Sequence, residues 1–367
     1  MRSARDARVR SARRGRMCPA PLSRPLELDP GGAMLRSLLG GAASKLGRAA
    51  ARLLDQDRDD PAVTIGQVAL RLHYQELARA GGPLPSFRDV GFRVNSQSDE
   101  DGILLFLFAI LEMSGRDAGV DPSTSRRCVE LGAGDGRECN TANLILRRGW
   151  TGLLLDGDPR NVRHARDFYG RHRATWINPP RCEHAWLTRA TVNETLAKYG
   201  FDDALDLLSI DLDGVDYWIW EALTVARPRV VVVEYQDLLG PERAWTVPYA
   251  DDFRASSFQT AAGPRSSTSI GPNDFAGASL RAWVDLGRRK GYRLVGCNTL
   301  GYNAFFVRDG LAETLLPEVS AASCHSHPRV IASMRDRFPK VAHLPWVDVA
   351  SSPETPGVPD THLEVSG

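Results

Sequence analysis

A glycine-rich turn that follows a short apolar strand constrains the fold of this chain more than any other feature. Residues 129–136 read Val-Glu-Leu-Gly-Ala-Gly-Asp-Gly, with glycines at positions 132, 134 and 136. Glycine lets a backbone turn tightly and approach a bound molecule where any Cβ atom would collide. The spacing is GxGxG, whereas the loop that binds a dinucleotide pyrophosphate has GxGxxG. Asp156 ends the next apolar strand, where a carboxylate can accept hydrogen bonds from both ribose hydroxyls, so the pattern favours a nucleoside cofactor without a pyrophosphate.

Strand and helix patterns alternate through most of the chain, which predicts a parallel sheet with helices on both faces. The predicted parallel strands are Arg127–Leu131, Thr151–Asp156, 174–178, 206–211 and 229–235. Two further strands, Tyr292–Cys297 and Asn303–Arg308, are separated by too few residues for a crossover helix. They are therefore predicted to form a hairpin, which adds an antiparallel strand to the parallel sheet.

The two ends of the chain differ in composition from its centre. Residues 1–33 are rich in Arg, Pro and Ser and have no hydrophobic period, which predicts a disordered leader. Two alternatives remain open: the leader is an organelle transit peptide, or translation starts at Met17 or Met34. Leucines at helical spacing in residues 34–54 predict a helix. This helix is expected to pack on the rest of the protein rather than to lie on a membrane surface. It belongs to a predicted helical N-terminal extension over 34–94. Residues 311–346 read as a C-terminal helical extension, and 347–367 as a disordered tail.

Charge and cysteine usage exclude several classes of protein. The chain has 46 Lys and Arg against 45 Asp and Glu, and the basic excess lies in the leader, so the body is mildly acidic and no nucleic-acid partner is expected. The six cysteines form no CxxC pair, which argues against a disulfide framework and for a cytoplasmic protein. Cys182-x-His184 and Cys324-His325-x-His327 lack the ligand gaps of zinc sites, so no metal ligands are assigned.

No apolar run reaches the roughly 18 residues that a spanning helix needs, so no transmembrane segment is predicted.

The glycine turn, the acid at Asp156 and the late hairpin resemble the class I S-adenosylmethionine-dependent methyltransferases. Within this class, the chain resembles the FkbM-type methyltransferase-like family at residues 96–102, 209–217 and 232–235. The resemblance implies a methyltransferase domain at about residues 95–310. The resemblance implies an α/β fold, a Rossmann-like, doubly wound seven-stranded sheet with a reversed last strand, behind a helical lead-in. It also implies S-adenosylmethionine at the carboxyl ends of the strands.

The resemblance further assigns residues to the cofactor. Asp156 would hold the ribose, Asp211 would lie near the methionine amino group, and Gln97 would contact the cofactor from a lid. The predicted cofactor residues are Gln97, Glu130, Gly132, Gly134, Asp135, Gly136, Asp156 and Asp211. The acids that follow Gln97, at positions 99–101, fit either a lid or the first turn of the next helix. Asp158, just before Pro159, is predicted to cap the helix that follows it.

Four carboxylates gather at the ends of the fourth and fifth predicted strands, where α/β sheets place their ligands. They are Asp211, Asp213, Asp216 and Glu234. A carboxylate whose pKa is raised by its neighbours can take a proton from a hydroxyl, and a Mg²⁺ or Ca²⁺ ion held by oxygen ligands could acidify that hydroxyl instead. Asp213 and Asp216 could equally cap the following helix. Asp211, Asp213 and Glu234 are the predicted catalytic residues, and Mg²⁺ is kept as an alternative cofactor.

The expected activity is transfer of a methyl group from S-adenosylmethionine to a hydroxyl of a small molecule, such as a sugar, a lipid or a secondary metabolite. The insertion at residues 236–275, rich in Ser, Gly and Pro, is expected to grip that acceptor. Asp211-x-Asp213 is also similar to the DxD motif with which glycosyltransferases hold a metal and a nucleotide-sugar. A metal-dependent glycosyltransferase and a non-catalytic protein that retains the fold are therefore the alternatives.

Overall fold

A computed structural model of the protein describes residues 61–117, 125–259 and 270–350. The predicted leader, the helix predicted within 34–54 and most of the predicted tail lie outside the described residues. None of the helices in the described ranges is long and apolar enough to cross a membrane.

The sheet is built on a core of five parallel strands. The strands of the described residues are β1 (Arg127–Leu131), β2 (Thr151–Asp156), β3 (Arg181–His184), β4 (Leu207–Ile210), β5 (Val230–Glu234), β6 (Trp245–Thr246), β7 (Tyr292–Cys297), β8 (Asn303–Arg308) and β9 (Val347–Asp348). Seven of them form one sheet in the order β3-β2-β1-β4-β5-β8-β7, and β8 runs antiparallel to both of its neighbours. This order, with its reversed last strand, confirms the predicted class I methyltransferase fold.

The helices cover both faces of the sheet. They are α1 (Pro61–Arg79), α2 (Phe87–Val90), α3 (Glu100–Asp117), α4 (Ala142–Arg148), α5 (Pro159–Arg171), α6 (Val192–Lys198), α7 (Asp216–Ala222), α8 (Leu280–Arg289), α9 (Pro328–Asp336) and α10 (Phe338–Val341). Side chains of α3, α4 and α5 form one apolar layer, and side chains of α6, α7 and α8 form the other. Residues 230–233 of β5 are fully buried between these layers, as expected for a β-branched apolar strand at the centre of a parallel sheet.

The third strand does not lie where the sequence predicts it. Residues 174–178 form a turn, and β3 begins only after Pro180. The apolar residues that suggested a strand, Trp176 and Ile177, are exposed instead of facing a helix layer. The chain is held as a turn because Thr175 is buried and its hydroxyl donates to the Tyr169 carbonyl oxygen at 2.6 Å.

The prediction that disorder begins at Val347 is wrong for the first residues of the tail. β9 pairs antiparallel with β6, which belongs to the insertion after β5. The Val349 amide also donates to the Ala244 carbonyl oxygen at 2.8 Å. The C-terminal segment is therefore tied to the insertion that the sequence analysis expected to grip an acceptor.

Candidate active site

The three glycines of the turn after β1 all have left-handed backbone conformations, and two of them determine its open side. Gly132 has φ +87°, and a Cβ atom there would stand 1.7 Å from the Asp211 carbonyl oxygen, so only glycine allows this approach. Gly134 has φ +55°, and a Cβ atom there would meet no atom within 4 Å. Gly134 therefore presents bare backbone to open space at the carboxyl edge of the sheet.

That open space is a cleft of about 570 Å³, called here the glycine-loop cleft. It extends from the end of β2 to the end of β4, and residues of the insertion lie along it. Its lining includes Gly132, Gly134, Asp156, Asn161, Trp186, Leu187, Asp211, Asp213, Phe253 and Arg254. The Arg254 guanidinium lies 4.3 Å from the centre of the Trp186 ring, so this side of the cleft has an aromatic and cationic wall.

The Asp156 carboxylate is fixed in this cleft by three donors. Gly134 donates its amide to Oδ2 at 2.8 Å, while the Asp158 amide and the Asn161 side chain donate to Oδ1 at 2.7 and 3.1 Å. The next acid, Asp158, accepts from the Arg160 amide at 2.8 Å and begins α5 ahead of Pro159, as predicted for a helix cap.

Four of the eight predicted cofactor residues do not line the glycine-loop cleft: Gln97, which is described below, and three residues in or beside the turn. The Glu130 side chain is buried on the face of β1 that packs against α4. Its carboxylate accepts from the Thr141 amide at 2.8 Å, and burial raises its pKa. Gly136 lies beneath Tyr169, whose hydroxyl donates to the Gly136 carbonyl oxygen at 2.6 Å. Asp135 accepts from the Arg137 amide at 3.1 Å within the turn itself. These residues shape the turn, and their assignment as cofactor contacts stays a prediction.

A second cleft of about 440 Å³, called here the carboxylate cleft, adjoins the first. Its lining includes Gln97, Asp213, Asp216, Glu234, Tyr235, Gln236, Asp237, Asn273, Leu300, Tyr302, Arg329 and Arg337. Asp213 lines both clefts, so it marks the point at which they meet. Gln97 lies along this second cleft and not along the glycine-loop cleft, and its contact with a cofactor stays a prediction.

The acidic residues after Gln97 anchor the segment that carries it. Asp101 accepts from the backbone amides of Val94, Asn95 and Ser96 at 2.5 to 2.8 Å. Glu100 accepts from the side chains of Asn298 and Asn303 on the β7–β8 hairpin, each at 2.9 Å. The segment is thus tied to the far side of the carboxylate cleft, and these acids bind protein donors within the fold.

The three predicted catalytic carboxylates come together at the junction of the clefts. Asp211, Asp213 and Glu234 each offer one oxygen, and these oxygens lie within 4.8 Å of one another. Loss of hydration, followed by the charges of Glu234 and Asp213, raises the pKa of Asp211 well above its usual value. Loss of hydration, followed by the charges of Asp213 and Asp216, raises the pKa of Glu234 to about 7. A hydrogen bond from Asp211 to Glu234 acts in the opposite direction and lowers the pKa of Glu234 in part.

Asp213 and Asp216 have different surroundings. Asp216 is buried and accepts from the amides of Leu212 and Gly214 at 2.6 and 2.9 Å, so it closes the loop that leads into α7. Asp213 has φ +52°, an uncommon conformation for a residue with a side chain, and accepts from the Asn273 side chain at 2.5 Å. Neither caps α7 through a side-chain hydrogen bond, because the residue at the cap position is Val215.

Sequence reasoning missed a group of charged residues in the carboxylate cleft. Asp237 is buried and pairs with Arg329 at 3.1 Å and with Arg337 at 3.4 Å; Arg337 also pairs with Asp274 at 2.7 Å. The partners lie on the insertion and on the C-terminal helices, up to 100 residues apart in the chain. No local pattern connects them, so only the folded chain reveals the group.

The histidines considered for zinc have other contacts. A His184 ring nitrogen lies 3.1 Å from the Gly157 carbonyl oxygen, and the His327 ring accepts from the Arg329 amide at the start of α9. His325 is buried, and its ring contacts the Ala321 carbonyl oxygen. Within the described ranges, the only grouping of three or more metal-ligating side chains is the carboxylate trio at the cleft junction.

Comparison with known proteins adds solved structures of low similarity. No protein-family model and no curated protein matches the chain. TnmH has 18% identity, covering 68% of this chain and 70% of its own, with a TM-score of 0.32. An O-methyltransferase from Bacillus cereus has 13% identity, covering 66% of this chain and 89% of its own, with a TM-score of 0.33. A putative O-methyltransferase from Klebsiella pneumoniae has 15% identity, covering 70% of this chain and 98% of its own, with a TM-score of 0.32. These values are too low to assign an activity, so the functional argument rests on the geometry.

Proposed function

We propose that this protein is an S-adenosylmethionine-dependent methyltransferase that methylates a hydroxyl oxygen of a small molecule. The observation that carries the proposal is the meeting of two clefts at Asp213. One cleft has the glycine turn and the fixed acid Asp156, and the other has carboxylates of raised pKa, including Glu234. The motifs at residues 96–102, 209–217 and 232–235 favour the FkbM-type family within this class.

The residues of the glycine-loop cleft fit a nucleoside methyl donor. Gly134 leaves open the space that a Cβ atom would fill, so a ligand can approach its backbone closely. Asp156 is held as a carboxylate at the end of β2, where it would accept from the ribose hydroxyls. Trp186 offers an aromatic surface for a base, and Asp211 would face the methionine amino group. The sulfonium methyl is the chemistry that S-adenosylmethionine supplies when it is bound.

The carboxylates at the junction supply a base. The acceptor hydroxyl oxygen bonds to the methyl carbon as the carbon–sulfur bond breaks, S-adenosylhomocysteine leaves, and the hydroxyl proton passes to Glu234. A pKa of about 7 suits Glu234 for this step, because a base near neutral pH is both deprotonated and able to hold the proton. Asp213 is the positioning residue between the clefts, held by Asn273.

A divalent ion is the alternative use of the same carboxylates. Mg²⁺ prefers carboxylate oxygens and keeps several waters, and Asp211, Asp213 and Glu234 offer three oxygens close together. Such an ion would take the place of the shared proton and acidify the hydroxyl directly. Addition of EDTA separates the two mechanisms, because only the metal version requires activity to fall.

The composition of the carboxylate cleft favours an uncharged acceptor rich in hydroxyl groups. Four acids line it, together with the amide side chains of Gln97, Gln236 and Asn273. Its two arginines already donate to Asp237, Asp274 and backbone carbonyl oxygens, so they offer little to a phosphate or carboxylate group. An anionic acceptor would enter a cleft of excess negative charge, whereas a sugar-like acceptor matches the amide and carboxylate lining.

Mass spectrometry of reactions with candidate acceptors tests the proposed function. The protein with S-adenosylmethionine should add one methyl group to a neutral glycoside or polyol, and should not methylate its phosphorylated analogue. Absence of any methyl gain from a panel of neutral acceptors, with S-adenosylmethionine bound, would refute the acceptor assignment alone.

The alternatives gain no support from the fold. A metal-dependent glycosyltransferase uses the Asp211-x-Asp213 pair but leaves the glycine turn and Asp156 unexplained. A non-catalytic protein requires no carboxylate of raised pKa beside the glycine-loop cleft, yet Glu234 is one. A cytoplasmic location for the protein stays a prediction.

A further inference from the structure

The turn between α5 and β3 is held rigidly although it lies on the surface. Thr175 is buried and donates through its hydroxyl to the Tyr169 carbonyl oxygen at 2.6 Å. The amides of Thr175 and Trp176 both donate to the His172 carbonyl oxygen, at 3.0 and 2.9 Å, and the Ala174 amide donates to the His172 ring at 3.1 Å. These bonds tie residues 174–176 to the C-terminal end of α5.

Two large apolar side chains lie at the tip of this turn. Trp176 is 62% exposed and Ile177 is 79% exposed. Single exposed apolar residues are ordinary on protein surfaces, but an adjacent exposed pair after a buried threonine is a small apolar protrusion. We call Trp176 and Ile177 the apolar tip.

Three exposed arginines lie within five residues of the apolar tip along the chain, and we call them the arginine rim. Arg171, Arg173 and Arg181 are exposed, and residues 168–182 contain no Asp or Glu. Arg171 has only a surface contact with Asp167 at 3.9 Å, which contributes little. Among the described residues, no acid lies within ion-pair distance of Arg173 or Arg181, so their charge is available to an anionic partner.

We propose that the apolar tip and its arginine rim dock the protein onto an anionic lipid surface. Tryptophan and isoleucine can enter the headgroup region of a bilayer, and each arginine near such a surface adds about 1 kcal/mol, which is about fivefold in binding. Two side chains are too small an area for a stable protein interface, which buries roughly 1,600 Å² in total. The charge of the rim selects anionic lipid over neutral lipid.

The place of the tip in the fold is compatible with an active site that stays accessible. α5 starts at the carboxyl end of β2 and runs back across the sheet, so the turn before β3 lies at the amino-terminal edge. Both clefts lie at the carboxyl edge. Docking through the tip would leave the clefts facing away from the bilayer, toward the aqueous phase.

Co-sedimentation of the full chain with vesicles tests this surface. The probes are vesicles of phosphatidylcholine with phosphatidylglycerol, and vesicles of phosphatidylcholine alone. The protein should bind the anionic vesicles, and the double variant Trp176→Ser/Ile177→Ser should bind at least about tenfold more weakly. Arg173→Glu/Arg181→Glu should also weaken binding, and added salt should reduce the difference from the wild type.

A matched control keeps the test specific, because the arginine-rich leader also attracts anionic lipid. Ile65 and Leu72 on α1 are 68% and 52% exposed, and residues 61–70 carry no charged side chain. Ile65→Ser/Leu72→Ser should bind vesicles as the wild type does. Equal binding by the tip variant and the wild type would overturn the proposal, as would an equal loss in the control. A tip variant that instead converts a dimer to a monomer, without vesicle binding by the wild type, would assign the tip to contact between two copies.

Discussion

Replacing Gly134 by arginine separates the cost of a strained backbone from the loss of ligand space. Gly134 has φ +55°, and a Cβ atom there meets no atom within 4 Å, so the new side chain extends into the glycine-loop cleft of about 570 Å³. An L-residue in the left-handed conformation costs roughly 1–2 kcal/mol, which lowers the melting temperature of a domain this size by a few degrees. S-adenosylmethionine, in contrast, should lose close approach to the backbone altogether. We expect its affinity to fall at least about 100-fold, which is about 2.8 kcal/mol.

Gly149 provides the matched control for this substitution. It ends α4 with φ +66°, a Cβ atom there also meets no atom within 4 Å, and it lines neither cleft. Gly149→Arg should therefore lower the melting temperature about as much as Gly134→Arg does, while S-adenosylmethionine binds as to the wild type. Calorimetric titration of both variants measures the affinities, and thermal unfolding measures the stabilities. Wild-type affinity in Gly134→Arg, or equal losses in the two variants, would refute the assignment of this cleft.

The remaining predictions concern the carboxylate cleft. Turnover should rise with pH through about 7 as Glu234 loses its proton, and Glu234→Gln should slow it at least about 100-fold in a steady-state pH profile; an unchanged profile would exclude Glu234 as the base. The pKa of the Glu234 carboxyl rises from 4.5 to about 7 on folding, so the free energy of unfolding should fall by up to about 3 kcal/mol as the pH rises between those values. Glu234→Gln should remove this fall, as measured by denaturant titrations at pH 5 and pH 8. Asp213→Asn should keep S-adenosylmethionine affinity and lower kcat; wild-type kcat in Asp213→Asn would make Asp213 structural only. Asp237→Ala removes one carboxylate partner of Arg329 and of Arg337, so it should cost about 1 to 2 kcal/mol in unfolding and raise the KM for the acceptor but not the Kd for S-adenosylmethionine; a change in the latter alone would contradict the separation of the clefts.

Local patterns predicted the parts of the fold that local forces determine. β2, β7 and β8 have the predicted bounds, because short runs of Leu, Val or Phe that end at polar residues can be buried in few other ways. Asp158 caps α5 as expected, since an acid before Pro159 satisfies a free amide wherever the helix packs. β3 was misplaced because two exposed apolar residues, Trp176 and Ile177, mimic a buried strand.

Side-chain direction and long-range pairing limited the prediction of the site. Glu130 belongs to the glycine motif, but alternation along β1 turns it, like Cys128, toward the layer of α4, away from the glycine-loop cleft. Gln97 lies on the carboxylate cleft because the acids after it bind the distant β7–β8 hairpin. Asp237 and Arg337 meet across 100 residues, and nothing in either neighbourhood indicates the other.

The central claim is that the cleft between the glycine turn and Asp156 binds S-adenosylmethionine. Isothermal titration of the purified full chain with S-adenosylmethionine tests it most directly. The structure leads us to expect saturable heat with one site per chain, since the described residues form one such cleft. No detectable heat at millimolar ligand would contradict the claim, and the methyltransferase proposal with it.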